Sequence, residues 1–145
     1  MNTSINHIRN LIHFAYADGH LHEKELELIK KVGTRLGLTE SVIKEEIENK
    51  SNSVPPLPEN EILRYILFED MLQIIIADSK ITDTEVAECK RFAEKMGFKT
   101  EMVDGLILKM KEHIENGFIS NTNVEFLQSE MYNLTINKID NAKYH

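Results

Sequence analysis

Asp18, Glu25, Asp78 and Glu85 are the side chains whose type and spacing could do chemistry. They fall in two segments, Ala17-Asp18-Gly19-His20-Leu21-His22-Glu23-Lys24-Glu25 and Ala77-Asp78-Ser79-Lys80-Ile81-Thr82-Asp83-Thr84-Glu85, which match without a gap at an offset of sixty residues. Carboxylate oxygens suit hard divalent cations such as calcium, magnesium or manganese. If the two segments pack about an approximate twofold axis, the four carboxylates face one another, and a cation relieves their mutual repulsion. His20 and His22 flank Leu21 beside Asp18 and could add nitrogen ligands for a borderline metal such as zinc. The second segment has Lys80 and Thr82 at those places and offers zinc nothing.

The same residues also fit a purely structural role. Thr82-Asp83-Thr84-Glu85 has the form of a capping box, in which the threonine hydroxyl and the glutamate carboxylate satisfy each other's orphan backbone N–H groups. Asp18 and Asp78 then lie near the positive end of the following helix, where a carboxylate is favoured. His22 is a poor substitute for a hydroxyl, so an intact box is expected in the second segment only. A calcium-binding EF-hand is excluded: Gly19, Leu21 and Glu25 fit its sixth, eighth and twelfth positions, but Phe14 and Tyr16, or Ile74 and Ile76, occupy positions that must supply oxygen.

The segments need helices to hold them. Leu26, Ile29, Val32 and Leu36 answer to Val86, Cys89, Phe92 and Met96 at helical spacing, and Gly37 and Gly97 close both stretches. The first helix starts after Thr3 or Ser4 and buries Ile5, Ile8, Ile12, Ala15 and Tyr16; the second runs from about His22 to Leu36; the third, about Glu40 to Lys50, turns Val42, Ile43 and Ile47 inward and leaves Glu45, Glu46 and Glu48 solvated. All three prolines lie in Ser51 to Pro58, where no helix can cross, so this stretch links the halves. Ile62, Leu63, Ile66, Leu67, Met71, Ile74, Ile75 and Ile76 then predict a central helix. Thr82 to Met96, Glu101 to about Glu115 and Asn121 to about Lys138 complete the set. The expected fold is all-α: a single seven-helix bundle with pseudo-twofold internal duplication of a three-helix unit. The halves are about 1–50 and 59–116, and a C-terminal helix covers about 121–138.

Composition narrows the function. A chain of 145 residues with 41% hydrophobic and 28% charged residues is expected to build one core. The net charge of −7 opposes nucleic acid and anionic membrane surfaces. No stretch approaches the ~20 apolar residues of a membrane span. The opening residues lack a basic region followed by an apolar run. A cytoplasmic protein with no membrane insertion is expected. Cys89 replaces Ile29 on the apolar stripe and reads as a core hydrophobe, and the methionines read as gap-fillers. His7, His13 and His113 carry no ligand spacing. There is no phosphate-cradling glycine loop, no nucleophile setting and no Glu-x-x-His, so no enzyme is expected.

Ala17-Asp18-Gly19-x-Leu21-x-x-x-Glu25 followed by a helix ending in Leu36-Gly37-Leu38, echoed at Asp78 and Glu85, resembles the TerB-like tellurite-resistance domain over nearly the whole chain. The resemblance implies an all-α domain without catalytic activity and with metal-binding acidic residues. It also implies a role in tellurite or general chemical-stress response beside membrane-associated protein partners. Asp18, Glu25, Asp78 and Glu85 match the acidic pattern. Ser79 replaces its glycine in the second segment, and His22 its small hydroxyl residue in the first. The rival expectation is a helical protein–protein interaction module whose acidic turns are caps only.

Overall fold

The computed structural model describes residues 2–19, 21–49, 55–76 and 81–116, and every regular element among them is helical. In chain order these are α1 (Asn2–Ala15), a 3₁₀ turn (Tyr16–Asp18), α2 (Glu23–Arg35), α3 (Glu40–Asn49), α4 (Glu61–Ile76), α5 (Asp83–Lys95) and α6 (Thr100–Glu115). The expected helix over 121–138 and the linker's first half, 51–54, lie outside the described residues.

α1 and α4 pack on each other at the centre. α2 leans on both, α3 covers α1 and α2, α5 packs on α4, and α6 on α5. α4 carries the reason for its place in its sequence, since a helix apolar on most of its circumference is stable only when surrounded. From Leu67 onward nearly all of it is buried. Ile62, counted above with the core, is 65% exposed because the first turn of α4 precedes that enclosed stretch. Tyr16 also departs from expectation and is 40% exposed. The backbone tightens to 3₁₀ there, and the shorter period rotates the next side chain off the stripe that Ile8, Ile12 and Ala15 bury.

α2 and α5 end in the same way. Gly37 and Gly97 take the left-handed conformation, at φ 84° and 86°. The N–H groups of Leu38 and Phe98 reach back to the carbonyls of Gly33 and Ala93, and those of Gly37 and Gly97 to Thr34 and Glu94. This reciprocal pair satisfies the last carbonyls of each helix and turns the chain sharply. Thr39 and Asn60 then cap α3 and α4: the Val42 N–H donates to Thr39 Oγ1, and the Ile62 and Leu63 N–H groups to Asn60 Oδ1. The linker is held from both sides, with Asn10 Nδ2 donating to the Pro56 carbonyl and Arg64 Nε to that of Pro58. The acidic face of α3 is less solvated than expected, since Glu46 accepts two bonds from the Arg9 guanidinium, at 2.8 and 3.0 Å.

Candidate functional site

The first acidic turn is built by the 3₁₀ segment Tyr16–Asp18, closed by Gly19 at φ 87°, whose N–H donates to the Tyr16 carbonyl at 2.9 Å. Only glycine takes that backbone without strain. The segment packs against α5, the helix that the second acidic turn opens. The side chain of Asp18, and His20 and Asp78 entirely, lie outside the described residues. Glu25 and Glu85 are described, and both are used by their own helices.

The Glu25 carboxylate accepts the His22 N–H at 2.9 Å and is 6% exposed. Glu85 accepts the Thr82 N–H at 3.0 Å and the Thr82 hydroxyl at 2.9 Å, while its own N–H donates to Thr82 Oγ1 at 3.2 Å. A capping box therefore forms at both turns, where one was expected at Thr82 only. The physical reason is that the carboxylate half of the box needs just the backbone N–H of the cap residue, which histidine supplies as well as threonine. His22 adopts the required extended backbone, with ψ 154° at both caps. Among the described residues no three His, Cys, Asp or Glu side chains converge as a ligand set.

A second polar cluster escaped the sequence analysis. Asp70, 1% exposed in the middle of α4, accepts His7 Nε2 of α1 at 2.6 Å and both terminal nitrogens of Arg35 of α2, at 2.7 and 3.2 Å. One carboxylate thus ties three helices together. The Arg35 pKa is raised chiefly by its hydrogen bonds to Asp70, against the desolvation that lowers it. Next to Asp70, the half-buried Glu69 is pushed up by burial first and by the Asp70 charge second, while Arg35 and a bond from Gln73 pull it down. The available signal was the acid pair Glu69-Asp70 followed by an apolar run in the most hydrophobic helix, because a buried carboxylate requires a cationic or hydrogen-bonding partner. His7 is buried beside Ile8 and supplies one. Cys89 is buried as expected, and its thiol is pushed up to about 12 by desolvation, so it carries no thiolate chemistry at neutral pH.

In comparisons with known proteins the chain matches no family model, no curated protein and no solved structure. Among the described residues no helix is long and apolar enough to cross a membrane.

Proposed function

We propose that the chain is a non-enzymatic, TerB-like helical protein whose paired acidic turns hold a divalent cation of the calcium, magnesium or manganese type. In this reading two copies of a three-helix unit, completed by a helix over 121–138, bring Asp18, Glu25, Asp78 and Glu85 to one site. The protein then serves a cytoplasmic response to tellurite or related chemical stress with protein partners. The supporting observation is the packing of the Tyr16–Asp18 turn on α5, since a shared site requires the first turn to lie beside the second unit. Isothermal titration with Ca²⁺, Mg²⁺, Mn²⁺ and Zn²⁺ tests it. One ion per chain, weakened by Asp18→Ala and by Asp78→Ala alike, is the expected result. A titration unchanged by Asp78→Ala makes the second turn structural only.

The capping bonds at Glu25 and Glu85 favour a second reading, in which both turns are caps and the protein is a helical interaction module. Glu85→Gln separates the two, because glutamine still accepts the Thr82 N–H but lacks the charge a cation needs. Under ligation, metal raises the wild-type melting temperature by mass action and raises that of the variant less. Under capping alone, neither protein responds to any divalent ion.

A further inference from the structure

The chain holds twelve asparagines, and Asn116 alone is followed by glycine. It is also the residue that ends α6. Its backbone N–H still donates to the Glu112 carbonyl at 3.1 Å, but at φ −77° and ψ 4° it has left the helix. Its side chain is exposed and makes no hydrogen bond among the described residues. The other described asparagines are held differently. Asn10 is fully buried with its amide nitrogen on two carbonyls, Asn60 Oδ1 caps α4, and Asn2, Asn6 and Asn49 lie within α1 and α3. Two aspartates also precede glycine and provide an internal contrast. Asp18 precedes Gly19, whose N–H is bonded to the Tyr16 carbonyl. Asp104 precedes Gly105 inside α6, where the backbone N–H is bonded one turn back and the carboxylate pairs with Lys90.

We propose that Asn116 is a self-modification site, the place where this chain deamidates through a cyclic imide. The Gly117 backbone nitrogen attacks Cγ of Asn116 and forms the N–Cγ bond. The Cγ–Nδ2 bond breaks, and ammonia leaves with the proton of the attacking nitrogen. Water then opens the imide, at Cγ to give isoaspartate's isomer aspartate, or at the backbone carbonyl carbon to give isoaspartate. Glycine favours the attack because no Cβ crowds its nitrogen or restricts the approach. The place of the reaction gives it an effect on the fold. Either product sets a carboxylate beside Glu112 and Glu115 at the negative end of α6, where the helix dipole and like charges oppose it. Isoaspartate also adds one atom to the main chain where α6 joins the residues after it.

Incubation of the full chain at pH 8, followed by peptide mapping with mass spectrometry, tests the proposal. An isoaspartyl methyltransferase with labelled S-adenosylmethionine counts the isoaspartate. Asn116 should lose its amide at least tenfold faster than any other asparagine, in a first-order reaction independent of protein concentration. Its rate should stay within threefold of that in the guanidinium-unfolded chain, whereas Asp104–Gly105 should isomerise at least tenfold more slowly folded than unfolded. Gly117→Ala should slow the reaction at Asn116 at least tenfold, and Asn116→Gln should abolish the leading mass gain. Asn116→Asp, which introduces the carboxylate directly, should speed amide exchange in the last turn of α6. Another asparagine reacting as fast, protection of Asn116 by the folded chain, or unaltered exchange in Asn116→Asp overturns the proposal. So does equal isomerisation of Asp104–Gly105 in the folded and unfolded chains, since the contrast between the sites then owes nothing to the structure.

Discussion

The α2–α3 and α5–α6 hairpins share their backbone devices and differ in everything that fills the seam. α2 and α5 are both thirteen residues long, open on a capping box and close on a left-handed glycine. Between them and their partner helices, however, Gly33 faces Ile43 in the first hairpin, and Ala93 and Val103 take those places in the second. One methyl group has in effect moved from one helix to the other, keeping the pair's total side-chain volume. Arg35, which reaches Asp70, corresponds to Lys95, which lies over the Phe92 ring instead. Asp70 itself corresponds to Asn10, whose amide reaches the linker carbonyl of Pro56. The lesson is that caps and terminal glycines fix where helices start and stop. The contacts between helices are then free to vary provided volume and polar pairing are conserved.

The largest expected effect comes from the two buried polar anchors. Asp70→Ala leaves the buried His7 without its partner and releases Arg35, whose side chain is half-exposed and returns to water; it should cost about 3 kcal/mol, the low end for breaking a buried charged pair. Asn10→Ala deletes a neutral hydrogen-bonding group and should cost about 1–3 kcal/mol. Urea unfolding of both variants measures the difference. Equal losses would mean that the charge at Asp70 adds nothing to its anchoring of the helices.

The seam exchange predicts a coupled pair of substitutions. A methyl group added at Gly33 would stand 2.5 Å from Ile43 Cδ1 and 2.7 Å from Cγ1. Gly33→Ala should therefore cost about 1–3 kcal/mol from overpacking, after up to about 1 kcal/mol of gain in helix propensity is overcome. Adding Ile43→Val, which reproduces the combination of the second hairpin, removes the Cδ1 contact but keeps a γ carbon near the new methyl group, and should recover part of that loss. A double-mutant cycle reads the recovery as a coupling energy. Additive effects would show that the two hairpins do not share a packing solution.

What could be read in the sequence follows the same division. Helix boundaries were legible because their causes are local: Gly37, Gly97, the prolines and the apolar stripes act within a few residues. α2, α3, α5 and α6 begin and end within a residue of the expected positions, whereas α1 begins at Asn2, so that Thr3 and Ser4 lie inside it rather than capping it. The long-range pairs were not legible. His7 and Asp70 are sixty-three positions apart, Arg9 and Glu46 thirty-seven, and no local pattern joins them. Asp70 stood in plain view beside Glu69 in the most hydrophobic helix, but its partners became identifiable only when α1 and α2 were packed beside it. For the acidic turns, spacing left capping and ligation open, and the described geometry adds that Glu25 and Glu85 do cap.

The smallest expected effect sharpens the comparison through Glu69, whose counterpart in α1 is the exposed, ion-paired Arg9. Burial and the neighbouring Asp70 raise the Glu69 pKa above its ordinary 4.5, so the folded protein holds this proton more tightly than the unfolded chain. Its contribution to stability is complete below the unfolded value and is lost as pH rises through the folded one. Glu69 is partly solvated and Arg35 offsets part of the shift, which keeps the effect small. Glu69→Gln removes the titration while keeping an oxygen for the Gln73 amide. The variant should therefore gain stability relative to wild type between pH 4 and pH 7, with the gain appearing as wild-type Glu69 ionises. Melting temperatures across that range measure it. A constant difference between the two proteins would show that Arg35 fully compensates the buried charge, and that this face of α4 is as well matched as the Arg9 face of α1.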